Sequence, residues 1–235
     1  MKIPMTTTKA IKIPVTLFAA VLLPFCGHTA VYDAVADFST SNNPNGPWSY
    51  GQEATLGGSF SLLPPLSFAG GQMSGWGGFF PFIVRNTTAG PVQDGTTTYA
   101  NTALAMHPGS SGAFSVLRWT APSSGEFSLA VSFADVQNDQ LATVDVHALL
   151  NGSSIFSDNL GPKASAGYAN GSMTLSAGDI IDFVVGYGNG AFYYDHTAVQ
   201  AVIAAVPDRA SALLLLSGAV FYLRRCTLRI HERKA

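Results

Sequence analysis

Glu126-Phe127-Ser128-Leu129-Ala130-Val131-Ser132-Phe133 decides the fold class of this chain. Phe127, Leu129, Val131 and Phe133 fall on one side of an extended strand, and Glu126, Ser128, Ala130 and Ser132 on the other. Strict alternation over eight residues marks a strand with one face buried. Outward from it the same pattern recurs. Thr143 to Leu150 places Val144, Val146, Ala148 and Leu150 inward, and Asn151-Gly152 follows. Both of those residues tolerate positive φ, so they form a two-residue hairpin turn with Ser153 to Phe156 as the returning strand. Asp179 to Val185 aligns Ile181, Phe183 and Val185; His196 to Ala204 aligns Val199, Ala201 and Ile203. Pro122-Ser123-Ser124-Gly125 separates Ala113–Ala121 from Glu126–Asp135 as a turn. No stretch here sustains a helical period. Short alternating segments between Gly, Pro, Asn and Asp turns predict an all-β, two-sheet sandwich of about ten strands.

The 235 residues divide into three parts. Lys2, Lys9 and Lys12 precede an apolar run from Ile13 to Phe25, and a short polar stretch ends at His28-Thr29-Ala30. That order is the layout of a secretory signal, with Ala30 as the residue before cleavage. At the other end, Ala210 to Leu223 is an uncharged run of fourteen residues followed by Arg224-Arg225, with Arg229, Arg233 and Lys234 beyond. As a helix it would span about 21 Å, short of a hydrocarbon core but able to insert with local thinning. The trailing arginines would stay on the cytoplasmic side. The expected organisation is a signal peptide over 1–30, an exported β-sandwich over 31–205, and a C-terminal sorting segment over 206–235.

Removing the ends changes the electrostatic reading. Residues 31–205 hold twelve acidic side chains against Arg85, Arg118 and Lys163, a net charge of −9, although the whole chain carries −2. A phosphate backbone needs clustered cations, so nucleic acid is excluded as a partner. Cys26 and Cys226 both lie outside this stretch, so no disulfide framework holds it. A domain of this length is large enough to do without one.

Val206-Pro207-Asp208-Arg209-Ala210-Ser211, the leucine-rich run and the arginine cluster resemble the PEP-CTERM sorting signal. The resemblance implies export, a short membrane helix, and recognition by an exosortase-type transpeptidase at the envelope of an exopolysaccharide-making bacterium. Pro207 matches the first proline of that motif; Asp208 stands where glutamate is expected and Arg209 replaces the second proline. The stretch Phe38-Ser39 to Asn42-Asn43-Pro44-Asn45-Gly46-Pro47-Trp48-Ser49-Tyr50-Gly51 is similar to the opening of a module common in such proteins. So are His107-Pro108-Gly109 with Val116-Leu117-Arg118-Trp119-Thr120-Ala121-Pro122, and Val144-Asp145-Val146 with Asn151-Gly152, Ala177-Gly178-Asp179 and Ile181-Asp182-Phe183. The module resembles a jelly-roll of the carbohydrate-binding or galactose-binding type, and a family resemblance of fold does not supply an activity.

No nucleophile elbow, P-loop, zincin helix or Cys-His zinc spacing occurs. His107 precedes Pro108-Gly109 and is expected to bond a turn. His147 alternates outward with Asp145, as on a solvated face. Asp179, Asp182 and Asp195 are the candidate calcium ligands, because a hard cation takes loop carboxylates in sandwich modules. The competing expectation is that they bond turn amides. Among the aromatics, Tyr187, Tyr193 and Tyr194 of the Gly186–Tyr194 loop are the candidate sugar-stacking set, since an exposed ring offers an apolar face to pyranose C–H groups. Trp119 is expected in the core, and Trp48 and Tyr50 in a packed loop. Asn86, Asn151 and Asn170 open Asn-x-Ser/Thr triplets and are read as turn residues. Two functions remain open: a non-catalytic surface or matrix protein that binds polysaccharide weakly, and a hydrolase of a glycan polymer with two facing carboxylates about 5–10 Å apart.

Overall fold

A computed structural model describes residues 29–101, 103–137, 141–188 and 191–207. The chain enters as β1 (Val31–Asp33), β2 (Trp48–Glu53), β3 (Phe60–Leu62), β4 (Pro65–Phe68), β5 (Met73–Gly77) and β6 (Phe82–Asn86). A hairpin follows, β7 (Val92–Asp94) and β8 (Thr97–Tyr99), then β9 (Leu104–His107), β10 (Phe114–Thr120) and β11 (Gly125–Asp135). The last five strands are β12 (Val144–Leu150), β13 (Ser153–Leu160), β14 (Ser165–Leu175), β15 (Ile180–Gly186) and β16 (Thr197–Ala205).

One sheet has the spatial order β14-β11-β16-β9-β6-β5-β4, with β1 paired to the far half of β16. The other has the order β13-β12-β15-β10-β2-β3. Every pairing is antiparallel. Short hairpins (β2–β3, β4–β5–β6, β12–β13) alternate with neighbours distant in sequence (β14–β11–β16–β9–β6 and β12–β15–β10–β2), as in a jelly-roll, and the described residues form an all-β, two-sheet sandwich. Phe127, Leu129, Val131 and Phe133 do face the core, as do Val144, Val146 and Ala148, Ile181, Phe183 and Val185, and Val199, Ala201 and Ile203. Trp119 joins them, fully buried. The turn at Asn151-Gly152 has the two positive φ values, 50° and 78°, that a primed hairpin turn requires.

The sixteen strands among the described residues exceed the ten expected. The additional ones are short and lie mostly between residues 57 and 107. Trp48 and Tyr50 are also strand residues rather than loop residues, alternating inward along β2. Their polar atoms are satisfied there: Trp48 Nε1 donates to Asp37 at 3.2 Å, and Tyr50 OH accepts from the Ser39 N–H at 3.1 Å.

Two devices cover the outer faces. The β7–β8 hairpin lies over the first sheet, where Met73, Phe82, Val84, Val92, Tyr99 and Ala105 form a second small core. On the other sheet, Phe60 lies over Gly51, whose missing side chain makes room for the ring. The Arg118 guanidinium sits 4.0 Å from the centre of that ring. It pairs bidentately with Asp182 (2.7 and 2.8 Å) and reaches Glu53 at 3.1 Å.

The strand directions give the sandwich two poles. The described residues of the connections after β5, β9, β11, β13 and β15 gather at one pole. Val31 pairs with Ala204 at the other, so the chain enters and leaves the domain there side by side. Ala30, the expected signal boundary, is exposed next to β1, and its carbonyl accepts the Ala205 N–H at 2.8 Å. Of the expected sorting motif, Val206 and Pro207 are described, with Val206 N–H bonded to the Glu126 carbonyl at 2.8 Å. The signal segment before residue 29, the apolar run 210–223, and Asp208, Arg209, Arg224 and Arg225 lie outside the described residues. Among those described, no helix is long and apolar enough to cross a membrane.

Candidate functional site

The pole opposite the Val31–Ala204 pair carries a row of aromatic rings from two loops. The tight β5–β6 connection, Gly77-Gly78-Phe79-Phe80-Pro81, leaves Phe79 89% exposed. The backbone turns there at Gly77 with φ 144°, where a side chain would meet the Pro81 carbonyl and Phe82. Phe79 touches Phe80 edge-on at 4.6 Å, and Phe80 meets Phe192 at 5.3 Å. Phe192 continues to Tyr193 at 4.2 Å, and Tyr193 to Tyr194 at 6.5 Å. Tyr193 is 64% exposed and Tyr194 39%. Large apolar surface is normally scattered singly on a folded protein; here it is contiguous.

Beneath the row lies a buried polar layer. Phe80 stacks on His107 at 4.0 Å, and His107 meets His196 edge-on at 4.4 Å. His107 Nδ1 donates to the Pro108 carbonyl at 2.8 Å. Burial, reinforced by His196 alongside, holds the His107 imidazole well below its ordinary pKa. His196 Nδ1 bonds the Gln137 amide, and Gln137 Oε1 accepts from Thr96 at 2.9 Å, which ties the β7–β8 hairpin to this pole. Asp195 is fully buried. Its Oδ1 accepts the Thr143 N–H at 3.1 Å, while Oδ2 has no hydrogen-bond partner among the described residues. Burial first, and the nearby charges of Asp135 and Asp145, push its carboxyl up to about 7.

The expected residues divide accordingly. Tyr193 and Tyr194 belong to the exposed row. Tyr187 does not: it packs on the Pro108–Ala113 turn, where Gly112 (φ 91°) leaves room for its ring. Phe79, Phe80 and Phe192 are the members that sequence reasoning missed. The three aspartates do not converge. Asp179 sits in the exposed turn before β15, accepting the Ser176 N–H at 2.7 Å and the Asn151 amide at 3.0 Å. Asp182 is buried on the outer face against Arg118. Asp195 lies beyond the other end of β15, about 20 Å from Asp179 at the usual strand rise. Among the described residues no group of three or more His, Cys, Asp or Glu is arranged to hold a metal.

His147 points outward by register but is buried rather than solvated, with Nε2 2.9 Å from Asp145 Oδ2. Burial works to raise the Asp145 pKa, but hydrogen bonds from His147 and the Gly188 N–H outweigh it and hold the carboxyl below its ordinary range. His107 bonds its turn, as expected. Asn86 also organises a loop, its amide donating to the carbonyls of Gly90, Tyr99 and Ala100. Two open grooves mark the surface. One, of about 410 Å³, is lined by Ala130, Ser132, Gly167, Ala169, Gln200 and Val202; the other, of about 320 Å³, by Phe38, Thr40, Arg85, Asn86, Thr88 and Asn101. Neither is lined by a carboxylate.

Fold and site together define a jelly-roll-like β-sandwich with an aromatic loop tip. No family model matches the chain, and no curated protein matches it. Among solved structures it is similar to the CBM51 module from Clostridium perfringens GH95 in complex with methyl-galactose, at 8% identity and TM-score 0.37, covering 75% of this chain and 100% of that one. It is similar also to a family 35 carbohydrate binding module from Clostridium thermocellum, at 14% identity and TM-score 0.32, covering 53% and 97%. Rabbit GITRL, at 18% identity and TM-score 0.28, covers 41% and 75%. Likenesses this distant decide nothing about activity or ligand.

Proposed function

We propose that this chain is an exported, envelope-anchored, non-catalytic surface protein whose sandwich binds polysaccharide through its aromatic tip. The observation that carries the binding reading is the continuous row Phe79-Phe80-Phe192-Tyr193-Tyr194 at one pole, in which Phe79, Tyr193 and Tyr194 are exposed and Phe80 and Phe192 are half-buried. Ring faces stack against the C–H faces of pyranoses, and the two phenolic hydroxyls can meet sugar hydroxyls. A non-catalytic role is supported by what the carboxylates do. Glu53 and Asp182 hold Arg118, Asp145 holds His147, and Asp195 is fully buried, so none of these four is free to face a glycosidic bond. Export and anchoring rest on the order of charged and apolar segments at the two ends.

The test is binding to a panel of polysaccharides with Phe79→Ala and Tyr193→Ala. Each should weaken binding about tenfold, in line with about 1.4 kcal/mol per lost ring contact, with the melting temperature unchanged because both rings are exposed. Wild-type affinity retained by the double variant would overturn the reading. Export has its own check: sequencing of the protein from its host should find Val31 as the first residue. Met1 on most molecules would overturn that part.

A further inference from the structure

We propose that the tip selects neutral polysaccharides and rejects acidic ones; this rests on the reading of the tip as a glycan-binding surface. The described residues of the loops at this tip, 77–81, 108–113, 187–188 and 191–194, contain no charged residue in seventeen positions. The domain around them carries fifteen charged side chains, so the tip is an uncharged island. Its ionisable neighbours are His107, His196 and Asp195, of which His107 and Asp195 are buried, and Asp145, whose Oδ1 accepts the Gly188 N–H at 2.7 Å and whose Oδ2 meets His147.

An anionic glycan is held by charge-assisted hydrogen bonds to its carboxylates or sulfates, and these need Arg or Lys. None of the three lies on the loops that carry the rings. Arg118 is bound to Glu53 and Asp182 on the outer face of the second sheet. Arg85 lies three residues along β6 from Phe82, about 10 Å from the tip by strand rise, in the groove with Asn86 and Thr88. Lys163 shares the pole but stands at the β13–β14 corner, at the far edge of the first sheet with β11 between β14 and β16, where its backbone N–H bonds Asp135. The described residues of the neighbouring connection, 136–137 and 141–143, include no charged side chain. A uronate or sulfate chain reaching the rings would lose water without gaining a counter-charge. It would also approach a domain of net charge −9, felt over roughly 10 Å at 0.1 M salt. A neutral chain incurs neither cost. Stacking and hydroxyl contacts are short-ranged, so its affinity should not depend on salt.

Affinity electrophoresis and titration of the full chain in a polyoxyethylene detergent test this, with glucomannan, galactomannan and laminarin against alginate, polygalacturonate and hyaluronate. The expected result is retention by at least one neutral polymer, at least tenfold weaker binding to every acidic one, and a Kd that changes less than twofold between 50 and 500 mM NaCl. The Ser110→Lys/Ser111→Lys variant places two cations on an exposed turn of the tip. It should leave neutral binding as it was and gain at least fivefold for an acidic polymer, a gain lost in 500 mM NaCl. Acidic polymers bound by the wild type as tightly as neutral ones, or a lysine variant that gains nothing, would overturn the selectivity while leaving the glycan reading standing. Binding to none of the six would overturn the glycan reading, and the selectivity with it.

Discussion

Replacing Asp195 with Asn should raise the melting temperature by about five to ten degrees at pH 8.5 and leave it near the wild-type value at pH 5. The Asp195 carboxyl is buried, Oδ2 lacks a hydrogen-bond partner among the described residues, and its pKa is pushed up to about 7. A folded-state pKa above the unfolded value of about 3.9 means that the folded protein keeps a proton the unfolded chain has released. The contribution is therefore fully present below about pH 4 and is lost as the pH rises through 7. Each pH unit is worth about 1.4 kcal/mol, so the ionised form costs on the order of 4 kcal/mol at alkaline pH. In a domain of this size that corresponds to about ten degrees, offset in part by the new amide. His107 has the opposite sign: its depressed pKa gives stability that is present above about pH 6.5 and lost as the pH falls further. It is common to both proteins, so the difference between the two melting curves isolates Asp195. A difference that stays constant from pH 5 to 8.5 would show that the carboxyl does not titrate in this range.

The second large effect is expected at Arg118. Its guanidinium holds Asp182, 2% exposed in its side chain, and Glu53, which is fully buried there. Burial, and then the charge of Asp182, already raise the Glu53 pKa, and Arg118 works against both. Arg118→Met keeps much of the packing on Phe60 but leaves two buried carboxyls without their cation. Breaking a buried pair from one side costs about 3–5 kcal/mol, or about ten degrees here. Adding Asp182→Asn and Glu53→Gln should recover at least half of that loss, since the stranded charges go with them. Arg118→Lys should not match the wild type, because an ammonium cannot make the two parallel bonds. Thermal melts of the four proteins decide it. A single variant that costs less than 1 kcal/mol would mean that water already serves the carboxylates.

What could be read in the sequence tracks where one face of a strand is buried and the other is wet. In β11 the outward Ala130 and Ser132 are exposed, so the alternation is clean and the register follows. In β6 and β9 it disappears: Phe82, Ile83 and Val84, and Leu104 through His107, are buried on both faces because the β7–β8 hairpin covers the outer one. A segment of four or five residues with no period carries no local strand signal. The site divides in the same way. Tyr193 and Tyr194 follow from a loop too rich in rings to be only a connection. Phe79 and Phe80 meet that loop through β6–β9 and β9–β16 pairing, which no local pattern encodes. One signal was present: a tight turn reading Gly-Gly-Phe-Phe-Pro has no conformational need for two phenylalanines. The aspartates show the reverse error. Asp179, Asp182 and Asp195 are close in sequence, but an intervening strand separates the first from the last by its length.

The entry of the domain beside its exit has a mechanical meaning. β1 holds to β16 through only three residue pairs, Val31 with Ala204, Tyr32 with Ile203 and Asp33 with Val202, at the pole away from the rings. A load drawn between the two ends would bear on that ladder one bond at a time, as in peeling, rather than shearing all of its bonds at once. A load drawn between one end and a ligand at the tip would instead run along the length of β16, whose nine residues pair with β11 throughout. The sandwich is weak when its own two ends are pulled apart and strong when it is held at the end leaving β16 and loaded at the opposite pole.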